Sequence, residues 1–106
     1  MKEYQIDCRF IKTKIDCCRY FENVFNLPPV SDKWQSLYDW MTDLSWIDDI
    51  DLHITIKNLD LALINETQEK QNFIELLDDI KAYWKIIDKT RPDFKRVDIK
   101  TDFPSV

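Results

Sequence analysis

A chain of 106 residues is the size of one domain with a single hydrophobic core, and 44% apolar with 13% aromatic residues is too hydrophobic for a disordered tail. A formal net charge of −5 and a pI near 4.8 argue against nucleic acid as a partner, since phosphate contacts need clustered Lys and Arg; a basic partner suits the charge better. The sequence contains no glycine, so neither a phosphate-cradling loop nor a dinucleotide fingerprint can be built by the usual route.

No apolar run approaches the roughly 18 residues of a membrane span, and MKEYQIDCRF lacks the apolar core of a signal peptide. Cys8, Cys17 and Cys18 form neither a paired framework nor a CxxC ligand spacing. The expectation is a cytoplasmic protein whose cysteines are small buried hydrophobes, with no membrane, metal or cofactor.

Taken in order, Tyr4 and Ile6 alternate with Gln5 and Asp7, a short period-two signal for a first strand. Phe10 and Ile11 lead to Thr13, a good N-cap with Asp16 at the third helical position. Ile15, Cys18, Phe21, Val24 and Phe25 then make a helical stripe to about Asn26, with Asp16, Arg19, Glu22 and Asn23 on the polar side. This helix reads as scaffold.

Leu27 to Trp46, LPPVSDKWQSLYDWMTDLSW, is the most informative stretch. Pro28 and Pro29 hold the chain extended. Ser31 or Asp32 is placed to cap a following helix, and Asp32 with Gln35 approximates a capping box. Trp34, Leu37, Tyr38 and Met41 fall at i, i+3, i+4 and i+7, the spacing that buries one stripe. Gln35, Asp39, Thr42 and Asp43 share another side, a short polar row with a carboxylate at its centre. That row is a candidate docking surface, with a solvated helix face as the plain alternative. The helix is expected to end near Thr42 or Asp43, without a glycine to take a left-handed cap.

Asp48, Asp49 and Asp51 read as a solvated loop, because magnesium would need their oxygens converged on one point. Leu52, Ile54 and Ile56 alternate with His53, Thr55 and Lys57, the clearest strand in the chain. His53, the only histidine, takes an ordinary strand-face role, since local spacing sets no second carboxylate or nucleophile beside it. Asn58 to Glu66 offers Leu59, Leu61, Leu63 and Ile64 as a helical turn or an irregular segment packed on the core. Thr67 caps a long last helix reaching Lys89, striped by Phe73, Leu76, Leu77, Ile80, Tyr83, Trp84 and Ile87, with Glu75, Asp78 and Asp79 as an acidic patch. Pro92 marks its end. Phe94, Val97 and Ile99 suggest a final strand, and the chain is expected to fray from Thr101. Strands separated by helices argue for parallel pairing. The predicted fold is α/β, a small three-stranded parallel sheet packed with three to four helices, in one domain over residues 1–106.

The order strand, helix, Pro-containing loop and acidic helix, with L-Y-D-x-x-T-D-L-S-W from Leu37 to Trp46, resembles the barstar family of intracellular inhibitors of the ribonuclease barnase. The likeness is strongest from Leu27 to Ile47, where Leu37, Tyr38, Asp39, Thr42 and Trp46 fall on family-like positions. It implies a barstar-like immunity protein and not an enzyme. The acidic helix and the loop before it would enter the cationic active site of a cognate basic toxin, a ribonuclease, one to one. Asp39 would place its carboxylate where substrate phosphate sits. Trp34, Gln35, Tyr38, Thr42 and Asp43 would surround it. Asp79 matches a supporting acidic position on the last helix, with Asp78 beside it as a fallback. The free protein would be a monomer, with no catalytic residue and no direct contact with nucleic acid.

The departures point to a target other than barnase. The loop P-P-V-S-D-K-W has no glycine or tyrosine, a second acidic family position is Gln35 here, and Lys33 brings a positive charge. Two other readings stand beside this one. A non-inhibitory interaction module would keep the fold and bind through the acidic helix or an exposed Trp40. A small enzyme would use Asp39, His53 or the Asp48–Asp51 cluster, but the sequence offers no convincing acid–base–nucleophile set.

Overall fold

A computed structural model describes residues 1–87 and 89–102, Asp102 by its backbone alone. Strands β1 (Lys2–Asp7), β2 (Asp51–Lys57) and β3 (Arg96–Asp102) form a sheet in the order β1-β2-β3, with both pairings parallel. Helices α1 (Lys14–Phe25) and α2 (Trp34–Met41) lie between the first two strands in sequence, and α3 (Thr67–Ile86) between the last two. Short 3-10 turns at Cys8–Phe10 and Leu59–Leu61 follow β1 and β2. This is the predicted α/β fold.

The alternation read in the central strand is complete. Leu52, Ile54 and Ile56 are buried, and the residues between them are half-exposed. Register sets Ile54 beside Tyr4 and Ile99, and Ile56 beside Ile6, so one side of the sheet floors the core. On the other side Glu3, His53 and Asp98 share one cross-strand row. His53 Nδ1 stands 3.6 Å from an Asp98 carboxylate oxygen, which gives the histidine the strand-face role expected of it. No described helix is long and apolar enough to cross a membrane.

The start of α1 follows the residues closely. The Asp16 N–H donates to the Thr13 hydroxyl at 3.1 Å, and the Thr13 N–H donates to the Asp16 carboxylate at 3.1 Å, a reciprocal capping box. The stripe needs one correction: Ile15 is 51% exposed, while Cys17 is fully buried. Ile15 lies in the first turn, and the buried line runs through Cys17, Cys18, Phe21 and Phe25. All three cysteines are free and buried, as expected. Burial pushes the Cys8 thiol up to about 12 and the Cys17 thiol well above its ordinary value, so neither is a reactive thiolate at neutral pH.

Lack of glycine shifts every left-handed position among the described residues onto another residue: Asn26, Leu44, Asn58 and Leu63, with φ between 53° and 57°. Asparagine visits this region readily. Leucine does so at a cost of about 1–3 kcal/mol, but both leucines are fully buried, and burying a leucine side chain returns about 1.5–3 kcal/mol.

Further corrections fall at element ends. The segment after β2 buries Leu59, Ala62 and Leu63 but leaves Leu61 42% and Ile64 60% exposed, because a three-residue turn period rotates them outward. Glu66, not Thr67, holds the N-cap position of α3, without a side-chain hydrogen bond. The helix stops at Ile86, short of Lys89, and Ile87 is already extended with ψ 143°. Tyr83 is half-buried while the rest of the stripe is core. Thr101 and Asp102 do not fray: they pair with Ile56 and Lys57. The remainder of that expectation lies outside the described residues.

Two polar groups fasten the edges of this architecture. Lys95, 6% exposed, donates its ammonium to the carbonyls of Ile47 at 2.5 Å and Asp49 at 2.9 Å, pinning the segment between α2 and β2. Asp7 accepts from the Arg9 side chain and backbone and from Asn58, which ties the ends of β1 and β2 together. The Arg9 hydrogen bonds hold the Asp7 carboxyl well below the usual carboxylate range.

Replacing Lys95 by methionine keeps the apolar stem and strands two carbonyls, so urea unfolding should show a loss of about 1–3 kcal/mol; unchanged stability would mean those carbonyls find water. Asp7 has a folded pKa below its unfolded value of about 3.9, so its contribution is present above pH ~4 and is lost as pH falls below that. Asp7→Asn should therefore be less stable than the parent at pH 6, with the gap closing toward pH 2 in urea titrations. A gap that stays constant with pH contradicts this role.

Candidate partner-binding site

Eight residues make a helix too short to persist alone, so α2 depends on what lies behind it. Leu37 and Met41 are buried in the core. The Trp84 indole N–H, from α3, donates to the Met41 carbonyl at 3.0 Å, holding the last turn. The Trp34 ring stacks on Phe73 of α3 with centroids 5.9 Å apart. Beyond the helix, Leu44 turns the chain and the Trp46 indole N–H donates to the Phe25 carbonyl at 2.8 Å. Trp40 rests edge-on against Trp46 and is half-buried, which corrects the exposed Trp40 expected from sequence.

The predicted cap at the start of α2 is also corrected. Lys33 occupies the N-cap position, and no side chain caps the helix. Asp32 is drawn instead to Arg19 of α1 at 3.2 Å, and the Ser31 N–H donates to the Ser36 hydroxyl at 3.3 Å. Arg19 also reaches the Val30 carbonyl at 3.1 Å and pairs with Glu22, while Glu22 accepts the Val30 N–H at 2.7 Å. With Leu27 and Val30 buried, this staple fixes the Pro-containing loop without a glycine. In sequence Arg19 and Glu22 are only part of the polar side of a scaffold helix, because their loop partners lie 8 to 13 residues away.

On the outer side of α2, Asp39 is exposed and accepts a hydrogen bond from the Gln35 amide at 2.9 Å. Among the described residues no cation pairs with it. The Thr42 hydroxyl turns back to the Tyr38 carbonyl at 2.8 Å, so Thr42 closes the helix and offers little polarity outward. Asp43 is half-buried beside it.

Between α2 and α3 runs a groove of about 480 Å³. Trp34, Gln35 and Tyr38 line one wall; Glu75, Asp79 and Tyr83 line the other, with Ile86 at the end. The structure therefore brings Asp79 to the α2 residues. It does not bring Asp78, which faces another groove, between α3 and β3. Glu69, in the first turn of α3, extends the acidic line: it pairs with Lys14 at 3.3 Å and receives the Trp34 indole N–H at 3.5 Å. Burial works to raise the Glu69 pKa, but bonds from Asn72, Lys14 and Trp34 outweigh it and leave the carboxyl below its ordinary value. The grouping of Glu75, Asp79, Tyr83 and Ile86 was readable as a helical stripe beside the core stripe, had the position of α2 been known.

The described candidates for a reaction centre stand apart. His53 lines the α3–β3 groove, and Asp39 stands on the open side of α2. Asp51 opens β2 and pairs with Arg96, leaving the Asp48–Asp51 run divided. Among the described residues no group of three or more His, Cys, Asp or Glu could hold a metal ion.

A family model described as barstar (barnase inhibitor) matches residues 1–99. The family is one of inhibitors and not of enzymes. Comparison with curated proteins gave no match.

Glu22→Ala removes the acceptor of the Val30 N–H and one partner of Arg19. Hydrogen exchange at Val30–Lys33 should accelerate, while global stability falls by only about 1 kcal/mol. Unchanged protection at Val30 would show that the buried Leu27 and Val30 side chains alone fix the loop.

Proposed function

The chain belongs to the barstar family, and on that footing we propose that it is a cytoplasmic immunity protein that blocks a basic ribonuclease toxin, one to one. It does so by laying α2 and the adjoining side of α3 over the toxin's active site. The observation that carries this reading is Asp39: an exposed carboxylate without a cation partner among the described residues, on a helix fixed from behind. A ribonuclease cleft supplies cations that hold phosphate. A fixed carboxylate entering it makes short charge-assisted hydrogen bonds with them, strengthened as water is displaced. Because Trp84, Leu37 and Met41 already hold the helix, little ordering cost remains at binding.

Gln35 supports the same role in place of an acid. Its amide holds one Asp39 oxygen and leaves the other open to a partner. Glu75 and Asp79 across the groove extend the negative surface, and Trp34, Tyr38 and Tyr83 give it rigid aromatic walls. The net charge of −5 favours rapid encounter with a basic toxin. Three free, buried thiols agree with a reducing compartment. Exposed Lys33 beside the acidic row favours a toxin other than barnase, one that tolerates a cation there. The same Lys33, a cation beside the acidic row, is what favours the second reading, a non-inhibitory interaction module on this fold.

The test uses the ribonuclease recovered with the protein from its native host, titrated with wild type and variants. Nuclease activity should vanish at one equivalent. Barnase–barstar is itself the reference case for such anchors, so the expectation for Asp39→Ala is only the general floor for a central anchor, about 2 kcal/mol or roughly 30-fold weaker binding. Asp79→Ala should weaken binding less, and Asp78→Ala not at all. Binding without loss of activity would select the interaction module, and an Asp39→Ala affinity equal to wild type would move the interface elsewhere.

A further inference from the structure

Helix α3 has a second side with the opposite charge. Between it and β3 runs a groove of about 660 Å³. Lys81 and Lys85 stand one turn apart on its helical wall, Lys89 follows beyond the helix end, and Arg96 opens the strand wall. Trp84, Val97 and Ile99 give the groove an apolar floor. Asp51, Asp78 and Asp98 also line it: Asp51 is taken by Arg96, Asp98 stands beside His53, and Asp78 sits at the far end of the row, three residues before Lys81. Lys81, Lys85 and Lys89 make no ion pair among the described residues. Lys81, Lys85, Lys89 and Arg96 against Asp51, Asp78 and Asp98 leave the groove net positive in a chain of net charge −5, and that local excess suits an acidic occupant.

The strand wall says what form that occupant takes. Among the described strands β3 hydrogen-bonds to β2 alone, so its outer backbone N–H and C=O groups face away from the sheet without a strand partner. A free edge beside a helix is the geometry into which an extended peptide adds as a strand. The spacings agree. Residues four apart on a helix rise about 6 Å, and residues two apart on a strand rise about 6.6 Å. Lys81 and Lys85 would therefore meet two side chains that stand two residues apart on an added strand. A nucleic-acid backbone has no matching use for the strand edge or the apolar floor.

We propose that the α3–β3 groove binds an extended acidic segment of another protein, with carboxylates at alternate positions, as a fourth strand on β3. The charges on the edge, Arg96, Asp98 and Lys100, discourage indiscriminate strand pairing and leave selection to the lysine row. This surface lies about 100° around α3 from Asp79 and forms a separate groove, with Ala82 on the ridge between the two, so it does not depend on the inhibitory reading.

The probe is a fluorescent peptide of sequence Thr-Glu-Val-Glu-Val-Glu-Thr, followed by anisotropy at low and high salt and by amide hydrogen exchange. Saturable, salt-sensitive binding is expected, with new protection along β3. The variant Lys81→Glu with Lys85→Glu changes only exposed side chains and should weaken binding about 10-fold while keeping the circular dichroism spectrum. Successive N–H groups of a strand point to opposite sides, so of two peptides with proline at the central Glu or at the Val after it, the one that loses an N–H facing β3 should not bind. Asp39→Ala should bind the probe as wild type does, which keeps this test separate from that of inhibition. The proposal is overturned by absence of saturable binding at millimolar peptide, by undiminished binding of both proline peptides, by protection on α2 instead of β3, or by preference for an oligothymidine over the peptide.

Discussion

The indole N–H of Trp84 on the Met41 carbonyl is the bond on which the exposed face of this protein depends. Without tertiary support α2 would be a fluctuating turn, and Asp39 a charge without a fixed direction. Trp84 anchors the C-terminal end of α2, the Trp34–Phe73 stack anchors its start, and Leu37 and Met41 fill the space between. All these contacts lie on the side away from Asp39. The energy that organises the face therefore comes from the core, and the face itself stays free for a partner.

A chain without glycine must make its turns by other means, and this constraint shapes the surroundings of α2. Left-handed turns fall on two asparagines and two buried leucines, one of which, Leu44, turns the chain just after α2. The loop before α2 is held by Arg19 and Glu22, and the segment after it by Lys95. These side chains do by hydrogen bonding what glycine-rich loops do by backbone freedom. The result is a rigid frame, which suits a surface that acts by shape and fixed charge.

Much of the fold was legible because its signals are local. The alternation in β2 needs only the residues themselves, and the Thr13–Asp16 cap needs residues three apart. The long stripe from Phe73 to Ile87 announced a core helix. What stayed hidden was non-local competition. Asp32 had the right spacing to cap α2, but Arg19 on α1 offers a stronger partner. Trp40 looked free until Trp46 folded against it. Asp78 and Asp79 are neighbours in sequence, yet one position turns a helix by about 100°, and only the placement of α2 and β3 assigns them to different grooves.

That division makes α3 the partition of the molecule, acidic toward α2 and lysine-bearing toward β3. The central claim concerns the acidic side: α2 and its rim stand in for phosphate in a ribonuclease cleft. A crystal structure of the complex with the native-host ribonuclease tests it most directly. The account predicts α2 seated in the catalytic cleft, with the Asp39 carboxylate within hydrogen-bond distance of the cations that hold substrate phosphate. A complex in which that cleft is empty and α2 faces solvent would contradict it.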